Sequence, residues 1–422
     1  MKYIYVFIFF FYSLNIVSQT ITNYTEANGL ISDFVECIAV DKINPSIIWI
    51  GTSLGLQKFD EANLSWTTYT QANYPNMPSD NIKVIATMKN GDIWIGTDYG
   101  AGKFDGTNWI TYDNNNGLIN NQVRSIDEHP DGDVFIGTIS GLSYFSGSSW
   151  ISVGAPNLHW SGVNATAFDS NGDVWISSPL GGITHFDGPS NFITYDTSNG
   201  ILSQNVTDLI IDEYDNKSIG TDGGLSILDS TNLVVTNYTR MYVLPPPDTL
   251  NPVVNLASFS DLDESLYGVW VSIYVGYLGV GGVAGYDYNM NQQWIDFDVS
   301  DGLAGLNVRG LDLSYDSSPN IWVATSTGIS KISLTVTNIN DINHVNKVKL
   351  YPIPIKSFLN ISSFEKIEKL TLYNNLGAIT SFKKLVNSSR NYKLDLSSFS
   401  SGIYYLSIEG KKNIENRKII IE

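Results

Sequence analysis

A four-residue motif recurs seven times in this chain, and its spacing restricts the fold more than any other feature. The motif is an aromatic, an aliphatic, a small residue and then Thr or Ser. It reads Trp49-Ile50-Gly51-Thr52, Trp94-Ile95-Gly96-Thr97, Phe135-Ile136-Gly137-Thr138 and Trp175-Ile176-Ser177-Ser178. Weaker copies are Ser218-Ile219-Gly220-Thr221, Trp270-Val271-Ser272-Ile273 and Trp322-Val323-Ala324-Thr325. The first residues of the copies stand 45, 41, 40, 43, 52 and 52 positions apart. A period of about 40 to 50 residues built only of strands and turns predicts the blades of a β-propeller.

The best-formed repeat reads strand by strand. Val123 to Glu128 is an apolar inner strand, and Pro130-Asp131-Gly132 is a tight turn. Asp133 to Thr138 carries the motif, Gly141 to Phe145 is a third strand, and Trp150 to Val153 is a fourth. The small residue of the motif suits a crowded position between neighbouring blades, and the aromatic fills the wedge between sheets. After Trp322 the chain supplies a second and a third strand but no fourth. Ile21 to Thr25 resembles fourth strands such as Trp66 to Thr70, and Asn28-Gly29-Leu30 follows it. The N-terminal segment is therefore expected to complete the last blade and to cover a sheet edge.

These repeats resemble the regulator-propeller family of two-component regulators. Copies in that family combine Asn-Gly-Leu, an inner strand, an Asp-Gly turn, Trp-Ile-Gly-Thr and Gly-Leu. The clearest match runs from Asn116-Gly117-Leu118 to Gly141-Leu142, and the resemblance covers about residues 20 to 334. Such propellers commonly form the sensing part of regulators. No transmembrane helix or kinase segment follows the repeats here, so a sensor-kinase role is not expected of this chain.

Beyond the repeats the composition changes sign. Residues 346–422 carry a net charge of +7, and the remainder carries −25. So acidic a body repels phosphate backbones, which excludes nucleic acid as a partner. The basic segment reads Val348-Lys349-Leu350-Tyr351-Pro352-Ile353-Pro354, then Leu370 to Gly377, then Gly402-Ile403-Tyr404 and Arg417 to Ile421. Alternating apolar strands of this kind predict a small β-sandwich of about 75 residues. Its order of pieces resembles the type A sorting domain of type IX secretion, with Ile353 and Asn374 in place of the usual Asn and Asp. That resemblance implies passage across the outer membrane, with the type IX machinery as partner.

The chain begins with Met1 and Lys2, an apolar run from Tyr3 to Tyr12, and a small residue at Ser18. This is the pattern of a secretory signal peptide, expected to be cleaved after Ser18. The run is too short for a membrane span, and no transmembrane segment is expected in the mature chain. The expected organisation is a signal peptide at 1–18, a propeller at 19–334, a linker at 335–345 and the sorting domain at 346–422. The fold class is all-β, a propeller of about seven blades followed by a small C-terminal β-sandwich.

Candidate chemistry is sparse. The single cysteine, Cys37, lies in an apolar strand and reads as a small core residue. The four histidines, His129, His159, His185 and His344, show no zinc-helix spacing, and no nucleophile elbow or phosphate loop is present. His129 at a turn and His185 on a third strand read as structural. The turn Asp169-Ser170-Asn171-Gly172-Asp173 is similar to a calcium loop but lacks the distant Glu, so it reads as a hairpin turn. Asp261, Asp263 and Glu264 could serve a glycoside hydrolase, but a solvated loop accounts for them equally. No catalytic residue, metal or cofactor is assigned.

Links between blades, and turns between second and third strands, fall on one face of the disc. The segments that interrupt the repeat there are Gln71 to Pro78, Gly154 to Gly162, Met241 to Pro252 and Tyr274 to Gly279. Binding sites on repeat proteins favour the face that takes insertions. Trp160, Tyr242, Tyr274 and Tyr277 could stack on sugar rings, with His159 and Asp248 supplying polar contacts. The reading is a non-catalytic binding module on the cell surface, for an extracellular glycan or protein. A secreted polysaccharide lyase or glycoside hydrolase is one alternative, and a structural adhesion protein is the other.

Overall fold

Four short strands per repeat need a neighbour on each face to bury their apolar residues, and the chain meets this need by closing a ring. The computed structural model describes residues 16–147, 149–154, 158, 162–186, 191–212, 215–239, 253–258, 269–275, 280–286, 294–315, 319–337, 348–351, 355–374, 379–410 and 414–421. It divides into a unit that runs to Thr337 and a unit formed mainly by residues 338–422.

The first unit contains seven four-stranded antiparallel sheets among the described residues. Blade 1 comprises Val35–Val40, Ile47–Thr52, Gly55–Asp60 and Ser65–Tyr69, paired in that order. Blades 2 to 6 repeat the order. Blade 7 takes Val308–Tyr315, Pro319–Thr325 and Gly328–Thr337 from the end of the unit and Ile16–Tyr24 from its start. The closing strand pairs from Ile16 with Thr337 to Tyr24 with Ile329. It is longer than the expected Ile21 to Thr25, because the ten-residue strand Gly328–Thr337 offers partners along its whole length. It also begins three residues before the expected cleavage point. Cleavage after Ser18 would leave Gln19–Tyr24 to fill the blade. Residues 1–15 lie outside the described part.

Each motif position has a physical cause. The aromatics Trp49, Trp94, Phe135, Trp175, Trp270 and Trp322 are all buried between sheets. At the closure, Tyr24 stacks on Trp322 with ring centroids 5.9 Å apart and packs against Phe59 at 4.9 Å. A Cβ on Gly51 would lie 2.5 Å from Cys37 Sγ and 2.9 Å from Ile82, two residues before the next inner strand, Val84–Thr87. Gly96 and Gly137 are crowded in the same way by Val123 and Val163. The Thr hydroxyl locks the turn that follows. Thr52 Oγ1 donates to the Gly55 carbonyl and accepts from the Leu54 N–H, both at 3.0 Å. Thr97, Thr138, Thr221 and Thr325 repeat both bonds.

Blade 5 departs from the pattern, with Ser218 in the aromatic position. The wedge between blades 4 and 5 is instead filled from Lys217, which is only 2% exposed. Its ammonium lies 4.6 Å from the Trp175 ring centroid and donates to Asn232 Oδ1 at 2.7 Å. Burial lowers its pKa.

The second unit forms a five-stranded antiparallel sheet from Val348–Tyr351, Phe358–Asn374, Ile379–Asp395, Gly402–Gly410 and Ile414–Ile421. The two 17-residue strands lose register between Ser362 and Ile367. Residues on either side of that break, among them Leu359, Ile361, Ile367, Leu370 and Leu406, share one core. The C-terminal strands expected from the sequence are thus hydrogen-bonded neighbours around a single core. The stretch 352–354 of the Tyr351-Pro352-Ile353-Pro354 segment lies outside the described residues.

Candidate functional site

Antiparallel pairing places three features on one face of the disc: the starts of the inner strands, the second-to-third-strand turns and the links between blades. The links are built alike. Asn28, Asn116, Asn199 and Asp301 each accept, through a side-chain oxygen, the N–H of the residue three before them. Each is followed by a Gly of positive φ and then a buried Leu or Ile: Leu30, Leu118, Ile201 and Leu303. Met77 and Leu158 are buried as well and fill this place in the links from blade 1 to 2 and from blade 3 to 4. Gln71 to Pro78 therefore obeys the repeat and does not interrupt it as the sequence suggested. Tyr74 packs on Tyr69 at 5.3 Å, and Gln71 Nε2 donates to the Met77 carbonyl.

The same face exposes apolar side chains in successive turns. Leu54, Tyr99, Ile139 and Leu180 lie in the second-to-third-strand turns of blades 1 to 4, and Phe34 precedes the inner strand of blade 1. Tyr99 is 68% exposed. At the start of several inner strands a β-bulge turns one residue out of the ladder, as at Glu36, Arg124 and Arg309. Glu36 joins three blades here. Lys83 of blade 2 donates to its carboxylate at 3.0 Å, and Arg309 of blade 7 bonds it through Nε at 3.0 Å and through Nη2. Burial pushes the Glu36 pKa up, but these two cations outweigh it and hold the carboxyl below its usual value. Arg124 lies 3.4 Å from Asp98. Among the described residues these ion pairs set three cations and two acids on the link face of an otherwise acidic body.

The opposite face carries the first-to-second-strand turns. Turn residues there cap two motif tryptophans, Trp49 Nε1 donating to Asp41 at 3.0 Å and Trp175 to Asp169 at 3.1 Å, while Trp322 donates to Ser314 near the end of its inner strand at 3.3 Å. In blade 4 the fold brings His185 to this turn. Its Nε2 lies 3.4 Å from Asp173 Oδ2 and 3.9 Å from Asp169 Oδ2, and its ring stacks on Trp175 at 4.4 Å. Deeper in the ring, Asp127 accepts from Thr166 across blades 3 and 4, and Asp312 accepts the Val40 N–H across blades 7 and 1 at 2.8 Å. Burial pushes Asp127 up to about 6 and raises Asp312 as well. Cys37 lies in an inner strand, and burial holds its thiol protonated far above the ordinary range.

Of the residues singled out in the sequence, Trp160, His159, Tyr242, Asp248 and Tyr277 lie outside the described part. The backbone of Tyr274 pairs with Gly281 near the end of Val269–Val275, on the link face. Sequence reasoning missed the junction of Glu36, Lys83 and Arg309, because residues more than 270 positions apart meet only when the ring closes. A usable signal existed: a charged residue follows the first apolar residue of the inner strand in blades 1, 3 and 7, and Lys83 stands just before that of blade 2.

Residues 349–422 match the family of secretion system C-terminal sorting domains. The chain is a propeller that carries a type A sorting domain. It is exported by type IX secretion, to the cell surface or beyond it. No helix among the described residues is long and apolar enough to cross a membrane. Among solved structures, PorZ, a surface component of the type IX secretion system of Porphyromonas gingivalis, is similar at 14% identity. That match has a TM-score of 0.57 and covers 93% of this chain and 60% of PorZ. The extracellular domain of BT4673 from B. thetaiotaomicron, described as a hybrid two-component system, matches at 14% identity and a TM-score of 0.57. There the cover is 97% of this chain and 60% of that one. The Pan2 WD40 domain of Neurospora crassa matches at 9% identity and a TM-score of 0.53, over 75% of this chain and 96% of that one. This chain thus spans about 60% of the length of the first two. At such identities the likeness carries the propeller fold alone. Comparison with curated proteins finds no match.

Proposed function

We propose that the link face of the disc is a recognition surface without a catalytic step, displayed outside the cell through the sorting domain and its partner, the type IX machinery. The observation that supports this reading is an exposed apolar residue in the second-to-third-strand turn of four consecutive blades. Leu54, Tyr99, Ile139 and Leu180 share the link face with Glu36, Lys83, Arg124 and Arg309. Single exposed apolar residues are ordinary, but a repeated set on one face with charged groups marks a binding face. A rigid ring presenting variable turns is also where function usually sits.

An extracellular glycan fits this chemistry. Aromatic faces such as that of Tyr99 stack on the apolar faces of sugars, and the charged groups on the link face can meet hydroxyls. By chain order Trp160, His159, Tyr242 and Asp248 belong to links and Tyr277 to a second-to-third-strand turn, with Tyr274 near the end of the strand before it. All would add to the same surface. The test screens the mature chain on a glycan array, with turnover assayed in parallel. Tyr99→Ala and Tyr277→Ala are each expected to weaken binding at least tenfold while circular dichroism stays unchanged and no product forms. Undiminished affinity in both folded variants, or turnover of the bound glycan, would overturn this reading.

A further inference from the structure

In a blade, the third-strand residue that faces the first motif residue lies beside the first-to-second-strand turn. Three blades place an ammonium there: Lys58 faces Trp49, Lys103 faces Trp94 and Lys331 faces Trp322. Lys103 forms an ion pair with Asp92 at 2.7 Å, and Lys331 pairs with Glu61 and lies 5.4 Å over Trp322. Blade 4 keeps the acidic turn but has His185 in the cation's place. We propose that Asp169, Asp173 and His185 bind one divalent first-row transition ion, Zn2+ in the first instance, on the turn face of blade 4.

The geometry is close to what such an ion needs. One donor atom from each residue lies within 4.8 Å of the others. Bonds of about 2.0–2.2 Å in a tetrahedron set neighbouring donors roughly 3.3 Å apart. His185 Nε2 and Asp173 Oδ2 are already at 3.4 Å, and Asp169 Oδ2 is at 3.9 Å from that nitrogen. His185 is only 9% exposed, and its Nε2 is buried with no hydrogen-bond partner while it faces both carboxylates. Lys217, the neighbouring cation, is bonded to Asn232 and forms no ion pair with either acid among the described residues. Blade 4 thus sets an imidazole nitrogen, and no lysine, against its two turn carboxylates, and a dication would engage all three.

The ligands are held in place. Asp169 accepts from the N–H groups of Asn171 and Asp173 at 3.0 Å and from Trp175 Nε1 at 3.1 Å. The turn is gripped from both sides: His129 Nε2 bonds the Gly172 carbonyl at 2.9 Å, and Ser170 donates to Asp215. Such outer bonds orient ligands and sharpen affinity. Asp173 keeps partial exposure, which leaves an entry path and room for a water as fourth ligand. One imidazole with two carboxylates favours a transition ion over Ca2+, whose sites are built from oxygen alone.

The test uses the untagged chain, stripped with EDTA and titrated with ZnCl2 by calorimetry, with Co2+ absorption as a second readout. One ion per chain at a Kd of about 10 μM or tighter is expected, together with visible Co2+ bands. His185→Lys restores the arrangement of the sibling blades, so it should fold normally and weaken binding at least fiftyfold. Asp173→Asn, in the partly exposed turn, should do the same. His344→Ala should leave binding unchanged. Absence of binding to the wild-type chain at 1 mM Zn2+ (about a hundredfold above the expected Kd) overturns the site. So does full affinity in both His185→Lys and Asp173→Asn, or loss of binding in His344→Ala.

Discussion

Replacing Asp127 by Asn should stabilise the propeller at neutral pH and leave it almost unchanged in acid. The carboxyl lies between the inner strands of blades 3 and 4, where Thr166 donates a hydrogen bond to it. Burial is the largest influence on it, and its pKa rises from 3.8 to about 6. A group whose folded pKa is raised contributes its stability fully below the unfolded pKa and loses it as pH rises through the folded pKa. The window is therefore about pH 4 to 6. Two pKa units at about 1.4 kcal/mol each give a cost of about 3 kcal/mol for the ionised form at pH 7. Asn removes the charge and keeps an oxygen that can accept from Thr166. The variant should melt about 6 °C above the wild type at pH 7, taking about 2 °C per kcal/mol for a domain of this size. At pH 4 the two should melt together. Scanning calorimetry of both proteins from pH 4 to 7 isolates this residue from the titration of the acidic body. Equal melting temperatures at pH 7, or the same gain at pH 4, would refute the reasoning. Lys42 opposes the shift of both Asp127 and Asp312, so Lys42→Met should enlarge the gain made by the Asn substitution.

Removing Ile16–Tyr24 should strip the fourth strand from blade 7 and expose Gly328–Thr337 as an edge, with a lower melting temperature and aggregation on heating; an unchanged melting curve would count against the closure. Gly96→Val should be destabilised by about 1–3 kcal/mol in urea titrations, because Val84 and Val123 already occupy the space of its Cβ. Thr138→Val deletes both bonds that lock its turn and should cost about 1–3 kcal/mol, whereas substitution of the exposed Tyr99 should cost almost nothing. Deletion of residues 346–422 should leave the propeller in the periplasm of a type IX-competent host, read by surface labelling and fractionation; normal surface display of the truncated chain would contradict that role.

The ring was legible because a blade is a local object. Four strands joined by tight turns leave a repeated trace, and each motif position answers to a contact within its blade or to the next. The links were read less well. The Leu118 position was clear where Asn-Gly precedes it, but Met77 and Leu158 fill the same place without that signal, so their segments looked like insertions. The length of Phe358–Asn374 and Ile379–Asp395 is not legible in the sequence, because a register shift such as that between Ser362 and Ile367 breaks the period-2 pattern within one strand.

The sequence by itself determined the blade motif, the need for a borrowed strand in the last blade, the change of charge near residue 340 and the sorting domain. All of these depend on neighbours along the chain or on the chain's own repetition. The tertiary structure alone decided which residues meet across blades. Glu36 joins Lys83 and Arg309 only because a closed ring makes blades 7, 1 and 2 adjacent. His185 reaches Asp169 and Asp173 only because its strand pairs beside Trp175. Such contacts depend on closure and register, which fix distances between side chains that sequence spacing leaves free.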